Sequence, residues 1–218
     1  MKKFKAIIFD NDGTIIDSEP LHFKARQMVV ERYDSYLTKS DYITYWMSRP
    51  TIIGVKHTLS NLLPDDQEKV VKEVLDEYHK LRDKELTLIP GFRKLINACA
   101  DNFVFAVATV QPRESVERGL DQVLSSEELQ LFKVVVSGEE VKNNKPAPDV
   151  WNVAMEHLKL SPSECIAVED SVVGVTSAKA AGIFCIARAS EWSSAGDLYG
   201  AGVDIVCRDY ESLARLLV

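Results

Sequence analysis

The feature that most constrains the fold is an apolar run near the start of the chain that ends in acidic residues. Residues 4–9, Phe-Lys-Ala-Ile-Ile-Phe, are mostly β-branched, aromatic or small, which is typical of a strand buried on both faces of a parallel sheet. The run stops at Asp10, and Asp12-Gly13 indicates a turn. Open α/β sheets bind ligands at the carboxyl ends of their strands. The two carboxylates therefore mark a candidate site, and the alternative is a strand end with an acidic turn.

This pair of carboxylates has a chemistry of its own. Close carboxylates raise each other's pKa unless a cation separates their charges. Mg²⁺ suits that position, because it takes oxygen ligands in octahedral geometry and keeps several waters. An aspartate that faces a metal-bound phosphate can attack phosphorus and form an aspartyl-phosphate.

Apolar runs and helical patterns alternate through the rest of the chain. Beyond the first strand, the predicted strands are residues 103–108, 133–136, 165–168, 183–187 and 203–207. The predicted helices are residues 92–100, a segment after Pro112, and the segments around 150–158 and 172–181. Gly182 stands where a helix C-cap belongs. Such alternation predicts parallel pairing with right-handed crossovers, and therefore a doubly wound α/β core.

Between the first and second strands the pattern is helical, from Pro20 to about Leu88. Asp65 and Glu68, after Pro64, give a capping-box-like helix start. Two amphipathic faces are predicted, formed by Leu21, Ala25, Met28 and Val29, and by Val70, Val71, Val74, Leu75, Tyr78 and Leu81. We predict an α/β core of residues 1–16 and 89–218, and a helical cap domain of residues 17–88. The cap is placed to act as a lid; the alternative is a structural subdomain without motion.

Composition excludes several classes of protein. The chain has 218 residues and a formal net charge of −7, which argues against binding to nucleic acid or to an anionic membrane. It has no apolar stretch long enough to cross a bilayer, and Met1-Lys2-Lys3 leads into a strand rather than a signal peptide. The four cysteines, at 99, 165, 185 and 207, lack metal or redox spacing, which predicts buried free thiols in a cytoplasmic protein.

Three later segments add polar groups after predicted strands. Thr109 ends the second strand, where its hydroxyl can bind a phosphate oxygen or cap the next helix. Lys145 lies in the loop Asn-Asn-Lys-Pro-Ala-Pro-Asp, and a lysine fixed there supplies positive charge for a phosphoryl group; the alternative is a solvated lysine. Glu169 and Asp170 end another predicted strand. They are candidate metal ligands, and the alternative is that they cap the next helix.

Taken together, these segments resemble the four motifs of the haloacid dehalogenase-like phosphohydrolases, in the family's order and over nearly the whole chain. The first motif is Asp-x-Asp-Gly-Thr at residues 10–14, with Phe9 before it and Asp-Ser-Glu at 17–19 after it. The chain departs from the commonest pattern at Val110 and Gln111, where small residues are usual. It also has Asn144 in place of a glycine, and Asn tolerates left-handed backbone. Lys142 is a less favoured substitute for Lys145.

The resemblance implies a role for each matching residue. Asp10 is the implied nucleophile, and the Asp12 side chain the implied general acid and base. The implied Mg²⁺ ligands are the carboxylates of Asp10 and Asp170 and the Asp12 carbonyl, with Glu169 in the outer shell. The implied phosphate-binding residues are Thr109, Val110 and Lys145.

The predicted cap carries candidate specificity residues. His22 lies ten residues after Asp12, where relatives resembling β-phosphoglucomutase carry a histidine. Arg49 is a candidate to hold a distal anionic group in the way that a bidentate phosphate clamp does, whereas Lys80 and Arg82 are weaker candidates. The alternative for His22 and Arg49 is a polar residue on a helix surface.

Three functions are compatible with these residues. The first is a Mg²⁺-dependent phosphatase of a small phosphorylated metabolite, such as a sugar phosphate or phosphoglycolate, acting as a monomer or weak oligomer. The second is a phosphomutase of the β-phosphoglucomutase type, favoured by His22, whereas Thr14 favours the phosphatase. The third is a non-enzymatic phospho-acceptor domain, which the inserted cap and the Asp-x-Asp spacing disfavour. A true dehalogenase needs no metal and would not require Asp12 together with Asp170.

Overall fold

The structure is a computed structural model that describes residues 4–218. The predicted lead from Met1-Lys2-Lys3 into the first strand lies outside the described residues. The chain divides into two compact units. One contains the residues up to Asp17 together with Thr87–Val218, and the other is Ser18–Leu86.

The first unit is built on a six-stranded parallel sheet. Its strands are β1 (Ala6–Phe9), β2 (Val104–Ala108), β3 (Phe132–Val136), β4 (Cys165–Glu169), β5 (Phe184–Arg188) and β6 (Ile205–Cys207). Their spatial order is β3-β2-β1-β4-β5-β6, and every neighbouring pair is parallel. The predicted doubly wound α/β fold is therefore confirmed. The order reverses between β1 and β4, and this switch point is where open α/β sheets bind ligands.

The sheet is buried as the sequence pattern predicts. All four residues of β1 and all five of β4 are buried, because helices cover both faces of a doubly wound sheet. Phe9 packs edge-on against Phe92 and Phe105, with ring centroids 5.2 Å and 5.7 Å away. This packing anchors the strand that ends at Asp10.

The helices follow the predicted alternation. The α-helices are α1 (Glu19–Glu31), α2 (Lys39–Asp41), α3 (Thr51–Thr58), α4 (Pro64–Glu85), α5 (Phe92–Cys99), α6 (Arg113–Val123), α7 (Ser126–Leu129), α8 (Asp149–Leu158), α9 (Val172–Ala180), α10 (Ala195–Gly200) and α11 (Tyr210–Leu217). A π-helical turn spans Tyr42–Trp46, and 3₁₀ turns span Gly138–Glu140 and Pro162–Glu164. Gly182 has a φ of +74° just after the α9 C-cap, as predicted for a glycine that ends a helix.

Two predicted strands begin two residues too early. Strand β1 begins at Ala6 rather than Phe4. The sixth strand was predicted from residue 203, but β6 begins at Ile205 because the preceding residues close helix α10. There the Val203 N–H donates to the Leu198 carbonyl at 3.3 Å, and Gly202 has a φ of +89°.

Within Ser18–Leu86, helices α1 and α4 pack against each other. In α4, Val70, Val74, Tyr78 and Leu81 are buried, as predicted. The prediction is wrong for Leu75, which is 45% exposed, because it lies about 100° around the helix from its buried neighbour. Likewise Met28 in α1 is 36% exposed.

The predicted capping box of α4 is also wrong. The helix begins at Pro64, its N-cap is Leu63, and no side chain caps it. Asp65 instead lies in the first turn, where its charge favours the helix dipole. Proline at the first helical position explains the start, since its missing N–H would have no helical partner there.

The remaining predictions concern cysteines and membrane segments. All four cysteines are free and buried, as predicted. Across residues 4–218, none of the helices has both the length and the hydropathy that a bilayer crossing requires.

Candidate active site

The candidate site lies at the carboxyl edge of the sheet, where three strand ends meet. Phe9 is in register with Val107 of β2 and with Val168 of β4. The residues that follow these positions are therefore neighbours, and they include Asp10, Thr109 and the pair Glu169-Asp170. These four predicted site residues thus share one edge of one sheet.

The loop after β1 is a tight turn held by its own backbone. The Asp10 N–H donates to the Val168 carbonyl at 2.9 Å, and the Ile15 N–H donates to the Asn11 carbonyl at 2.8 Å. Gly13 has a φ of +75°, and a Cβ built there would lie 2.0 Å from Asp170 Oδ2. Only glycine satisfies both the left-handed backbone and the close approach of that carboxylate.

Lys145 joins two carboxylates from different strands. Its ammonium donates to Asp10 Oδ1 at 2.6 Å and to Glu169 Oε1 at 2.7 Å. The three side chains are 5%, 11% and 1% exposed, respectively. The same ammonium lies 4.5 Å from the ring centroid of Trp151, a cation–π contact that adds to its fixation. The Asn144 that precedes it is not in the left-handed region, so the tolerance of Asn for that backbone plays no part here.

Glu169 uses both of its carboxylate oxygens in contacts within the protein. Oε1 accepts from Lys145, and Oε2 accepts from the Asp170 N–H at 3.1 Å and from the Ser171 hydroxyl at 3.1 Å. A Cβ on Gly174 would lie 1.9 Å from the Glu169 carboxyl carbon. The bare backbone at the start of α9 therefore makes room for this carboxylate, and Ser171, rather than Asp170, caps the helix by accepting the Gly174 N–H.

Burial and charge set the ionisation of the site. Burial raises the pKa of Asp10 to about 7, helped by the charges of Glu169 and Asp12 and opposed by Lys145. Burial alone would lower the pKa of Lys145, but the charges of Asp10 and Glu169 outweigh it and hold that pKa above its usual value. Two carboxylates thus share one ammonium, an arrangement that favours an added cation.

The residues fit a divalent metal ion that prefers oxygen ligands. Asp10, Glu169 and Asp170 each offer a carboxylate oxygen within 4.8 Å of the others, and all three are buried. All-oxygen ligand sets suit Mg²⁺ rather than metals that prefer sulfur or nitrogen. Both oxygens of Glu169 accept bonds from Lys145, the Asp170 N–H and Ser171, which makes Glu169 less available to a metal than Asp10, whose bond to Lys145 is made through Oδ1.

Asp12 and Thr109 complete the predicted set in this unit. Asp12 Oδ2 accepts from the Asn11 side-chain amide at 3.2 Å. Thr109 is 1% exposed, and its hydroxyl accepts the Gln111 N–H at 3.2 Å. Helix α6 is preceded by Pro112 and has no side-chain cap, so Thr109 is not a helix cap. Val110 is 43% exposed.

His22 and Arg49 belong to the helical unit. The His22 ring stacks on Tyr78 with centroids 3.8 Å apart. Arg49 is exposed, and its Nε donates to the Thr44 carbonyl at 3.1 Å. Of the two weaker candidates, Arg82 is buried and Lys80 is exposed, 3.7 Å from Glu77.

Sequence reasoning missed two contacts at the site. Ser171 follows Asp170 directly and could have been found as a helix cap, since serine is favoured there. Trp151 gives no signal in the sequence, because nothing in its helical pattern shows that the ring faces Lys145.

A family model described as haloacid dehalogenase-like hydrolase matches residues 7–188 of this chain. The match spans the loop after β1, Thr109, Lys145 and the Glu169-Asp170 pair. It therefore covers every residue of the candidate site in the first unit.

Curated relatives and a solved structure show the same similarity. Protein CbbY from Rhodobacter capsulatus is 31% identical over 91% of each chain. A phosphorylated carbohydrates phosphatase from Thermotoga maritima is 34% identical over 82% of each chain. The solved structure of a candidate β-phosphoglucomutase from Thermotoga maritima is 29% identical, covers 98% of each chain and superposes with a TM-score of 0.81.

Proposed function

This chain belongs to the haloacid dehalogenase-like hydrolase family, and on that basis we propose that it is a Mg²⁺-dependent phosphatase. The substrate is a small phosphorylated metabolite, of the sugar phosphate or phosphoglycolate type. The name of the Thermotoga phosphatase, which is 34% identical to this chain, supports a phosphorylated carbohydrate. A cytoplasmic location and a monomeric or weakly associating state stay predictions.

One observation carries the proposal: a buried Asp10 carboxylate bonded to a buried ammonium, beside two more carboxylates. A structural ion pair would need one acid for one base. Here two buried carboxylates, those of Asp10 and Glu169, share one ammonium, and the Asp170 carboxylate lies within 4.8 Å of both, so a further cation would offset their charge. Such an arrangement is better explained by chemistry than by stability.

The proposed reaction has two covalent steps. An Asp10 oxygen attacks phosphorus, the bond from phosphorus to the ester oxygen breaks, and Asp12 protonates the departing alkoxide. Asp12 then takes a proton from water as the water oxygen attacks phosphorus. The bond to Asp10 breaks, and inorganic phosphate leaves.

The remaining site residues offset the charge of the phosphoryl group and orient the reacting groups. Lys145 and the Thr109 hydroxyl face the negative charge of the transferring group. Asp10, Asp170 and the Asp12 carbonyl would hold Mg²⁺, with Glu169 orienting Lys145 and the α9 turn from outside. When bound, the ion would offset negative charge on the phosphoryl oxygens.

A phosphomutase is the second candidate. It is favoured by the similarity to the candidate β-phosphoglucomutase and by His22. In a mutase the phosphoryl group would pass to a second hydroxyl of the sugar instead of to water. The products distinguish the two: a phosphatase releases inorganic phosphate, whereas a mutase isomerises a sugar phosphate and needs a bisphosphate as primer.

The decisive experiment assays phosphate release from a panel of phosphorylated metabolites with and without Mg²⁺. We expect release only with Mg²⁺, and a loss of at least about a thousandfold in Asp10→Asn. Asp121→Asn, on the exposed face of α6, is the matched control and should be fully active. Full turnover by Asp10→Asn would refute the nucleophile, and no turnover of any ester would revive the phospho-acceptor alternative.

A further inference from the structure

Two side chains from outside the four motifs hold the backbone of the loop after β1. Arg188, the last residue of β5, donates from Nη2 to the Gly13 carbonyl at 2.9 Å. Tyr210, the first residue of α11, donates from its hydroxyl to the Thr14 carbonyl at 2.6 Å. Consecutive carbonyls of one catalytic loop are thus held by two separate elements of the first unit.

These bonds fix peptide planes next to a proposed metal ligand. The Gly13 N–H donates to the Ile16 carbonyl at 2.8 Å, which orients the Asp12–Gly13 peptide and therefore the Asp12 carbonyl. Arg188 orients the next peptide through its oxygen. Glycine has wide conformational freedom, so without Arg188 the position of Gly13 would depend on two backbone bonds, from its own N–H to Ile16 and from the Thr14 N–H to the Asn11 carbonyl at 3.3 Å.

The position of Gly13 also sets the space of a second proposed ligand. The direction in which a Cβ of Gly13 would point is filled by Asp170, whose Oδ2 lies 2.0 Å from that point. A movement of Gly13 toward β4 would therefore push this carboxylate, and a movement away would leave it less confined. Because Gly13 lies against Asp170, the Arg188 bond to Gly13 also affects the carboxylate of Asp170, a proposed Mg²⁺ ligand.

Tyr210 is firmly packed in the core, and Arg188 is partly enclosed near Asp17. Tyr210 is fully buried, and its ring meets Phe92 edge-on with centroids 5.7 Å apart. Arg188 is partly buried and lies close enough to Asp17 for its charge to lower the pKa of that carboxyl, against the larger effect of burial. Hydrogen bonds in a partly dry setting are stronger than in water, so these two donors can orient the loop.

We propose that Arg188 and Tyr210 are positioning residues that hold the loop at residues 10–14 in the geometry required for binding Mg²⁺. The inference rests on the proposed function, because it assigns these residues to the same metal site. Neither residue touches the substrate or the reacting atoms in this proposal. They act through Gly13, Thr14 and Asp170.

The test measures Mg²⁺ binding by calorimetry on the full chain, without substrate, for the wild type, Arg188→Met, Arg188→Lys and Tyr210→Phe. Residues that orient metal ligands from outside typically change affinity by about 10–100-fold when lost. We expect Arg188→Met to weaken Mg²⁺ binding at least about tenfold. We expect about threefold for Tyr210→Phe, which loses one hydrogen bond. Arg188→Lys, which keeps the charge and can still donate, should recover part of the loss.

A parallel kinetic measurement separates positioning from general damage. With p-nitrophenyl phosphate as probe, the Mg²⁺ concentration for half-maximal rate should rise in Arg188→Met by the same factor as the dissociation constant. The KM for the ester at saturating Mg²⁺ should stay within about twofold. Arg208→Met, an exposed arginine of the same unit, is the matched control and should leave both values unchanged.

The outcomes distinguish this inference from the proposed function. If the wild type neither binds Mg²⁺ nor hydrolyses the ester, the proposed function fails and takes the positioning role with it. If the wild type does both and folded Arg188→Met binds Mg²⁺ equally well, only the positioning role is overturned. Should Arg188→Met not fold, Arg188→Lys and Tyr210→Phe decide, and wild-type affinity in both would overturn it.

Discussion

The ammonium of Lys145 lies 2.6 Å from Asp10 Oδ1, although 135 residues separate the two in the chain. Neither side chain is more than 11% exposed. A charged pair that is this buried cannot be exchanged for water contacts without cost. The pair therefore ties the proposed nucleophile to the loop after β3, and it makes both the chemistry and the stability of the site depend on one lysine.

Replacing Lys145 by Met should damage both properties. Two buried carboxylates, Asp10 and Glu169, would lose their shared positive partner. We expect the free energy of unfolding at pH 7 to fall by about 3–5 kcal/mol, and phosphate release to fall by at least about a hundredfold. Added Mg²⁺ should restore part of the stability, since it binds the folded state. Urea denaturation with and without Mg²⁺ measures this.

The matched control for that variant is Lys142→Met in the same loop. Lys142 is exposed, and exposed substitutions usually change stability by no more than about 0.5 kcal/mol. Its activity should equal that of the wild type. If Lys142→Met were the inactive variant, the phosphate-binding lysine would have to be reassigned.

A methyl group on Gly174 should be poorly tolerated. The Cβ of Gly174→Ala would lie 1.9–2.0 Å from the Glu169 carboxyl atoms, so Glu169 or the start of α9 must move. Overpacking of this kind costs about 1–3 kcal/mol, and a displaced Glu169 would release Lys145. We expect a lower thermal midpoint and lower Mg²⁺-dependent activity.

Gly200→Ala provides the comparison for Gly174. Gly200 also lies in a helix, but a Cβ there has no atom within 4 Å. Alanine should therefore be neutral or stabilise by up to about 1 kcal/mol. Equal thermal midpoints for the two variants would contradict the described contact between Gly174 and Glu169.

The helical unit should lose stability in acid through His22. Burial, with the positive charges of Arg26, Arg82 and His79, holds the pKa of His22 well below 6.5. The folded state therefore keeps this ring neutral, whereas the unfolded chain takes up a proton below about pH 6.5. The free energy of unfolding should accordingly fall as the pH falls below 6.5, by up to about 1.4 kcal/mol per pH unit.

Replacement of His22 by Phe isolates that effect. The ring contact with Tyr78 can be kept, but the titration is removed. The difference between urea midpoints at pH 7 and pH 5 should shrink relative to the wild type. His157→Phe, at an exposed position on α8, should keep the wild-type difference. An undiminished difference in His22→Phe would show that other groups carry the acid sensitivity.

The cysteines should be inert in the native protein. Burial raises the pKa of Cys99, Cys165 and Cys207 to about 11, and it raises that of Cys185 as well. Since the thiolate is the reactive form, a disulfide reagent such as dithionitrobenzoate should titrate almost no thiol at pH 8. In denaturant all four should react promptly. Rapid reaction of the native protein would contradict the described burial.

Local sequence patterns determined much of the fold of this protein. The apolar run before Asp10 and the similar run before Glu169 specify strands buried on both faces. Strands of that composition need helices on both sides of the sheet to cover their apolar side chains. Alternation with helical patterns then selects a doubly wound sheet. The sequence therefore predicted the fold class, the free cysteines and the edge of the sheet where the polar residues meet.

Other features were decided only by the tertiary structure. The contact of Lys145 with Asp10 and the bonds from Arg188 and Tyr210 to residues 13–14 join segments far apart in the chain. Sequence periodicity fixes which way a side chain points within its own element, but distances between elements follow from packing of the whole core, and no local pattern encodes them.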